Sequence, residues 1–167
     1  IVTSATKELV MDTRRGLFTI NAPAAQGAVG FLRDAGVIRL PNVRIRSSAL
    51  HGTVAVVALD AKPLDVSRRI LVQTGTRAVP TGWRESVASW EEGGRTNQGL
   101  RIDATGDLPW RVRNETVTVT LPRAAVTKAT VLDGNGMAVP SITGVLARTR
   151  NSVRINVPPG VMYVVLE

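Results

Sequence analysis

The sequence contains no cysteine and only one histidine, and aromatic residues make up 4% of it. The lack of cysteine excludes thiolate nucleophiles, disulfides and cysteine-based zinc sites. It leaves the compartment open, because many secreted bacterial proteins also lack cysteine. No apolar run approaches the length needed to span a bilayer.

The shortage of aromatic residues also limits what a core can be made of. Hydrophobic residues account for 44% of the 167 residues, enough for one domain with a core of its own. Because three of the six aromatic residues are Trp, we expect Val, Leu, Ile and Ala to fill the core. Each Trp therefore requires an explanation of its own.

The formal net charge is +8, with 18 Arg and 3 Lys. A basic surface attracts polyanions, so nucleic acid is one candidate partner. The basic residues are scattered along the whole chain, however, whereas a nucleic-acid footprint is concentrated on one face or in one arm. We therefore expect most of them to form an ordinary solvated surface, and nucleic acid is the less favoured partner.

Short apolar or alternating segments recur along the chain with turn residues between them. The clearest is Glu115–Leu121, where Val and Leu alternate with Thr, as in a strand with one face in a core. The other predicted strands are Glu8–Asp12, Leu17–Asn21, Gly36–Leu40, Val43–Ser47, Thr53–Asp60, Arg68–Thr74, Leu100–Asp103, Arg111–Arg113, Ala129–Asp133, Val145–Thr149, Ser152–Val157 and Val161–Leu166. The pattern predicts an all-β fold: a two-sheet antiparallel β-sandwich of jelly-roll or immunoglobulin-like type, with little helix, in a single domain covering residues 1–167.

Two segments allow more particular predictions about strands. Thr53–Leu59 is apolar almost throughout, which predicts a central strand covered on both faces. The Asp-Gly-Asn-Gly sequence of Asp133–Gly136 predicts a tight hairpin between Ala129–Leu132 and Met137–Val139.

Two other segments do not fit the strand pattern. Ala24–Asp34 fits a short helix, although Gly27 and Gly30 disfavour one. Pro80–Asp107 is the least regular region, and it is rich in Gly, Thr and Asn. We expect loops there, and loops are where a functional surface is most often found.

Residues suited to catalysis are scarce. Because His51 is the only histidine, a Ser-His-Asp triad would have to use it, and no nucleophile-elbow motif surrounds it. Glycoside hydrolysis needs two carboxyl groups placed across a sugar, one with a raised pKa. Glu91 and Glu92 are adjacent and point to opposite sides of an extended chain, and Asp103 with Asp107 is more typical of a turn. We therefore expect no catalytic residues, no cofactor and no metal site.

One alternative concerns the same Asp pair. The carboxylates of Asp103 and Asp107, together with backbone carbonyls, could supply oxygen ligands for a structural calcium ion. Their spacing matches no specific calcium loop, so this signal is weak.

Arginine occurs three times in an Arg-x-Arg pair, at Arg44/Arg46, Arg111/Arg113 and Arg148/Arg150. Residues i and i+2 of a strand share a face, so we expect each pair on the solvated side of a sheet. A groove for single-stranded nucleic acid would interleave aromatic residues with such pairs, and only Trp110 adjoins one. We interpret the pairs as a soluble outer face and as protection of sheet edges.

The tryptophans give the strongest functional signal. Indole stacks on the flat apolar face of a sugar ring, and the sugar hydroxyls bond to Asn, Gln, Arg or acidic side chains. The predicted carbohydrate-binding residues are Trp83, Trp90, Glu91, Asn97 and Gln98. The alternative is that these indoles are buried in a core or an interdomain contact. Trp110, which follows Leu108-Pro109 and enters a predicted strand, we assign to packing.

Most of the chain resembles a known module, and the resemblance is strongest over the N-terminal half. The segments VTSATKELVMD, RGLFTINAP and QGAVGFL, then Val54–Pro63 with its Leu-Asp-x-x-Pro-Leu turn and Ser67–Thr76, carry the resemblance, and the ending Gly160–Tyr163 also fits. Together they resemble the β-sandwich accessory domain that follows the catalytic barrel in many bacterial, cellulase-like glycoside hydrolases. Met11 stands where that pattern has Trp, and Ala22-Pro23-Ala24 replaces Thr-Pro-Arg, so a sugar contact at those positions is not expected.

The resemblance implies that the catalytic carboxylates lie upstream, in a domain outside this chain. The chain begins without Met, and we expect it to be a domain excised from a larger multidomain enzyme. The expected partners are a polysaccharide or oligosaccharide and the catalytic domain of the same polypeptide, with no membrane partner, and the expected location is secreted or in the cell envelope. Two alternatives stay open: a purely structural interdomain β-sandwich without ligand, and a basic nucleic-acid-binding domain.

Overall fold

The computed structural model describes residues 1–113, 115–122 and 125–167, which fold almost entirely as β-strands. The chain forms two compact units: the first consists of Ile1–Thr76 and Asn114–Glu167, and the second of Arg77–Arg113. The second unit is thus a single segment inserted in the sequence of the first. The described part of the chain contains no helix that is both long and apolar enough to cross a bilayer.

The first unit contains two antiparallel sheets, whose strands are numbered here in chain order. In spatial order, one sheet consists of β1 (Val2–Thr3), β2 (Leu9–Asp12), β3 (Leu17–Ala22), β4 (Ala25–Gly30), β7 (Gly52–Ala58), β8 (Ile70–Gly75), β17 (Tyr163–Leu166) and β14 (Ala129–Leu132). The other consists of β15 (Leu146–Thr149), β16 (Ser152–Val157), β13 (Val117–Pro122), β6 (Arg44–Ser47) and β5 (Ile38–Arg39). The predicted all-β sandwich architecture is confirmed.

An aliphatic core joins the inner faces of these two sheets. In β13 the predicted alternation is confirmed, because Val117, Val119 and Leu121 are buried while the intervening Thr side chains are only half-buried. Val54 and Val56 contribute to the same cluster from the eight-stranded sheet. Among the described residues, no aromatic side chain is fully buried, so the core is made of Val, Leu, Ile and Ala as expected.

The central position of β7 is confirmed, because it lies between β4 and β8 in the eight-stranded sheet. The prediction that both faces of β7 are buried is confirmed for the inner face only. Val54 and Val56 on the inner face are buried, whereas Thr53, Ala55 and Val57 on the outer face are half-buried. The apolar outer face of this strand is therefore partly shielded rather than enclosed.

The helix considered for Ala24–Asp34 is wrong for most of that segment. Ala25–Gly30 is strand β4, and only Leu32–Ala35 forms a single helical turn, α1. Small residues make this strand fit its neighbours: a Cβ at Gly27 would lie 2.4 Å from the Val54 carbonyl oxygen. Close approach of the two backbones thus requires glycine here.

The buried amide of Gln26 ties the two sheets together. Its Nε2 donates to Asn21 Oδ1 at 2.9 Å within the eight-stranded sheet. Its Oε1 accepts from the backbone N–H of Asn42 at 2.9 Å, in the loop that joins β5 and β6 of the other sheet. A buried polar side chain with both ends satisfied adds specificity to a core that is otherwise apolar.

The turn predicted at Asp133–Gly136 is confirmed, but its second strand is reduced to one bridge. Asp133 Oδ1 accepts from the backbone N–H groups of Asn135 and Met137 at 2.8 and 2.9 Å. Beyond it, Leu132 pairs with Ala138 as an isolated bridge. The principal partner of β14 is instead β17.

The second unit consists of four strands: β9 (Ala78–Thr81), β10 (Arg84–Glu92), β11 (Arg95–Ala104) and β12 (Asp107–Val112). β10 pairs with β11 as a long hairpin, and β9 pairs with β12. The expectation of loops over Pro80–Asp107 is therefore wrong. The predicted strand Leu100–Asp103 is part of β11, and the predicted strand Arg111–Arg113 overlaps β12. The rest of this unit escapes a pattern search because most residues of β10, β11 and β12 are exposed, so no apolar–polar alternation marks these strands.

We predict that Gly27→Ala destabilises the first unit by about 1–3 kcal/mol, because its added methyl group meets backbone atoms that cannot rotate away. Gly75→Ala is the matched control in the same sheet, since its Cβ would meet only Thr53 Cβ at 3.8 Å. Urea unfolding of both variants measures the difference. Equal stabilities of the two variants would contradict the close approach of β4 and β7.

Candidate functional site

The β10–β11 hairpin brings the predicted site residues into a defined register. Trp90 pairs with Asn97, and Ser89 pairs with Gln98. Residues directly opposite each other in an antiparallel pair project from the same face of the hairpin, and successive residues alternate between faces. The register therefore decides which of the predicted side chains can act together.

Trp90 lies on an exposed face of this hairpin. Its six-membered ring covers Gly99, where a Cβ would lie 3.1 Å from two ring carbons. Its indole Nε1 donates to Glu92 Oε2 at 3.3 Å. The side chain nevertheless remains 48% exposed. A glycine beneath it and a carboxylate at its edge thus hold an accessible indole against the sheet.

The five predicted residues do not form one group. Asn97 shares the face of Trp90, as its direct cross-strand neighbour. Glu91 and Gln98 lie on the opposite face, where the Glu91 carboxylate accepts from Thr96 Oγ1 at 2.6 Å. The structure therefore brings Trp90 and Asn97 together and separates both of them from Glu91 and Gln98.

Trp83 is less accessible than Trp90. It precedes β10, and its backbone N–H donates to the Pro80 carbonyl at 3.2 Å. Its side chain is half-buried, and its indole nitrogen is fully buried without a hydrogen bond of good geometry. This indole is better suited to packing within the second unit than to stacking on a ligand.

Glu85, which interacts with that indole, is bound by Arg77. Arg77 Nη1 donates to Glu85 Oε2 at 2.9 Å, and its Nη2 donates to the other carboxylate oxygen. This ion pair holds the pKa of Glu85 below its ordinary value, and the Trp83 indole contributes in the same direction. Glu85 is therefore an ionised group of the fold and a poor proton donor.

The Asp103 carboxylate is also paired with an arginine. Arg101 Nε donates to its Oδ1 at 2.8 Å, and the pKa of Asp103 is lowered chiefly by the Ser86 hydroxyl and then by Arg101. No group of three or more His, Asp or Glu side chains in the described residues is arranged to hold a metal ion. One of the two carboxylates considered for a calcium site, that of Asp103, is thus paired with an arginine.

The assignment of Trp110 to packing is wrong. Trp110 lies in β12 opposite Pro80 of β9, and its side chain is 60% exposed. All six residues of β12 are exposed, so this short pair of strands has no apolar layer to receive an indole. The second unit consequently presents two accessible indoles, those of Trp90 and Trp110.

The face of the hairpin opposite Trp90 is apolar along part of its length. Val87 and Leu100 are direct cross-strand neighbours and are 83% and 59% exposed, and Ile102 on the same face is 52% exposed. Exposed aliphatic residues placed side by side are a feature of contact surfaces, whereas single ones are common anywhere.

His51 directly precedes β7. It is exposed and makes an edge-to-face contact with the Phe31 ring, with 5.4 Å between the centroids. The contact gives the imidazole a packing role.

Sequence reasoning missed Glu92 and Gly99, which position Trp90. The signal available was their spacing: in a hairpin centred on Gly93-Gly94, residues 90, 92 and 99 share one face. Because no hairpin was predicted, that spacing could not show that the three residues are neighbours.

Comparison of the chain with protein-family models, with curated protein sequences and with solved structures found no match.

We predict that acid weakens the second unit through Glu85. Because the pKa of Glu85 is lowered by folding, its contribution to stability is complete above the ordinary value of 4.5 and is lost as the pH falls through the lower folded value. Tryptophan emission followed from pH 7 to about 2.5 reports this change, since all three Trp lie in this unit. Glu85→Gln should flatten the profile below pH 4.5, and Glu91→Gln, the matched control, should not. Identical profiles for the two variants would contradict the role of the ion pair.

Proposed function

We propose that this chain is a non-catalytic accessory domain of a polysaccharide-degrading enzyme, and that it binds carbohydrate through the Trp90 face of the β10–β11 hairpin. The observation that carries this proposal is the accessible indole of Trp90, laid over Gly99 and fixed at its edge by Glu92. Asn97 lies beside it and offers amide groups to sugar hydroxyls. An exposed flat aromatic ring among polar groups is the arrangement that a sugar ring requires.

Binding at this face would be weak. Stacking one sugar on an indole removes about 50–80 Å² of apolar area from water, worth roughly 1–2 kcal/mol. Association itself costs about 4 kcal/mol or more in lost freedom. A single stacking contact therefore needs help from hydrogen bonds or from the second accessible indole, Trp110. Such affinity suits a domain that keeps an attached enzyme near a polymer.

Two carboxylates of the second unit, those of Glu85 and Asp103, are poorly suited to acid catalysis. A glycosidase needs one carboxyl group with a raised pKa to protonate the leaving group. Folding lowers the pKa of both Glu85 and Asp103. We accordingly propose that the catalytic residues belong to another domain of the same polypeptide, and that the whole enzyme acts outside the cytoplasm, in the cell envelope or after secretion.

A second candidate function is structural bracing of that catalytic domain. The observation that favours it is the apolar face formed by Val87, Leu100 and Ile102, which is exposed in this chain. Interfaces between domains commonly cover such side chains. The two functions are compatible, because Trp90 and this apolar face lie on opposite sides of one hairpin.

We predict that Trp90→Ala weakens binding to a neutral polysaccharide by about tenfold, the loss expected for one stacking contact. Affinity electrophoresis of the 167-residue chain through gels containing xylan, cellulose, β-glucan or agarose measures it. Trp83→Ala should retain binding once folding has been verified, because the Trp83 indole nitrogen is buried.

Ser89→Ala is the matched control on the opposite face of β10, and it should migrate like the parent chain. If none of the four polysaccharides retards the parent chain, the carbohydrate-binding proposal fails. The bracing function then predicts that Val87→Asp lowers the thermal stability of the full-length enzyme more than that of the isolated chain.

A further inference from the structure

Every charged residue in the strands of the five-stranded sheet is an arginine. None of the strands β5, β6, β13, β15 and β16 contains an Asp or Glu residue. Four exposed arginines surround a shallow depression of about 410 Å³ on the outer face of this sheet: Arg39, Arg44, Arg46 and Arg154. We call this surface the arginine face.

Sheet register fixes the spacing of these arginines. Arg44 and Arg154 lie on either side of Thr120, on strands β6, β13 and β16. Neighbouring strands are about 4.8 Å apart, so the Cα atoms of these two arginines are about 10 Å apart. Arg46 lies one repeat, about 7 Å, further along the same strand as Arg44.

Like charges are juxtaposed on this face. Arg39 and Arg44 are direct cross-strand neighbours, an arrangement that destabilises a sheet when no counter-charge is present. Within the described residues, none of the four arginines lies within ion-pair distance of a carboxylate. Separations of 7–10 Å are comparable with the screening length of about 8 Å at physiological salt, so repulsion is only partly screened.

Edge protection does not account for this arrangement. Arg44 and Arg46 lie in β6 and Arg154 lies in β16, and both strands are paired on their two sides. Arg148, which belongs to another of the Arg-x-Arg pairs, is also exposed, but it lies in the edge strand β15, opposite the buried Val153. The clustering on the arginine face therefore has no explanation in the sheet itself.

We propose that the arginine face binds an acidic polysaccharide, one that carries carboxylate or sulfate groups along its chain. Guanidinium groups pair with such anions through two parallel hydrogen bonds. Thr118, Thr120 and Asn156 line the depression between the arginines, where they offer hydroxyl and amide partners to sugar hydroxyls. An acidic polysaccharide carries anionic groups and hydroxyl groups in alternation along its chain.

Nucleic acid fits this surface less well. Proteins that bind single strands stack bases on aromatic side chains, and the depression has no aromatic residue in its lining. A sheet face also offers no helix or β-ribbon to enter a major groove. That the ligand is a glycan rests on the proposed function. The present proposal adds that this glycan is acidic.

The test is isothermal titration of the 167-residue chain at about 0.1 M salt. The acidic probes are polygalacturonate and alginate, which carry carboxylates, and chondroitin sulfate, which adds sulfate. Neutral β-glucan and a DNA duplex complete the panel. We expect the double variant Arg44→Ser/Arg154→Ser to lose at least about tenfold in affinity for the preferred acidic polymer.

The matched control is Arg14→Ser/Arg68→Ser, which removes the same net charge from exposed positions outside this sheet. It should change the affinity less than about threefold, and it should not reduce the salt dependence of binding. Retaining charge with Arg44→Lys/Arg154→Lys should give an intermediate loss, because lysine cannot form the two parallel bonds.

Three outcomes would overturn the inference: equal losses in the two double variants, tighter binding to DNA than to every acidic polysaccharide, or no binding to any acidic polymer. The last outcome leaves the proposed function standing if β-glucan still binds and Trp90→Ala abolishes that binding. Conversely, acidic polymers bound through the arginines, with no neutral polymer bound, would support the arginine face and reject the Trp90 site.

Discussion

The architecture of the first unit depends on close packing between two sheets whose inner faces are aliphatic. Because no aromatic side chain of the described residues is fully buried, the core is built from small branched side chains whose fit depends on short distances between backbones. Gly27 permits β4 to approach β7. Gln26, its neighbour, then reaches from this sheet to the loop at Asn42 in the other. All three indoles lie outside this core, in the second unit.

The Leu-Asp-x-x-Pro-Leu segment, Leu59–Leu64, has a structural explanation in this fold. Asp60 accepts from the Ser67 hydroxyl at 2.7 Å and from the backbone N–H of Arg68 at 3.0 Å, and the Arg68 amide is the main reason why the pKa of Asp60 is low. The Leu64 N–H donates to the carbonyl of Pro23 at 2.9 Å. These contacts fix the connection between β7 and β8. The segment thus has a structural role, and none of the proposed sugar-binding residues lies in it.

Much of the first unit could be predicted from sequence, because a strand with one buried face has alternating apolar and polar residues. Val117, Val119 and Leu121 alternate with Thr in this way. Strand β4 could not be predicted, since its Ala and Gly residues have low strand propensity and are held by their neighbours. Most of the β10–β11 hairpin was missed for another reason: the majority of its residues are exposed, so no apolar–polar alternation marks its strands. The candidate site could be predicted only in part for the same reason, since it lies on this hairpin. Trp90 and Asn97 were identified individually, but only the register shows that they are neighbours.

The central claim is that Trp90 contacts sugar. The most direct measurement is an NMR titration of the ¹⁵N-labelled chain with a soluble neutral oligosaccharide, following the three indole N–H resonances. Our account predicts that the Trp90 resonance shifts most, because its Nε1 lies at the edge of an accessible ring beside Glu92, while the resonance of Trp83 stays in place. A titration in which no indole resonance moves, or in which only that of Trp83 does, would contradict the account.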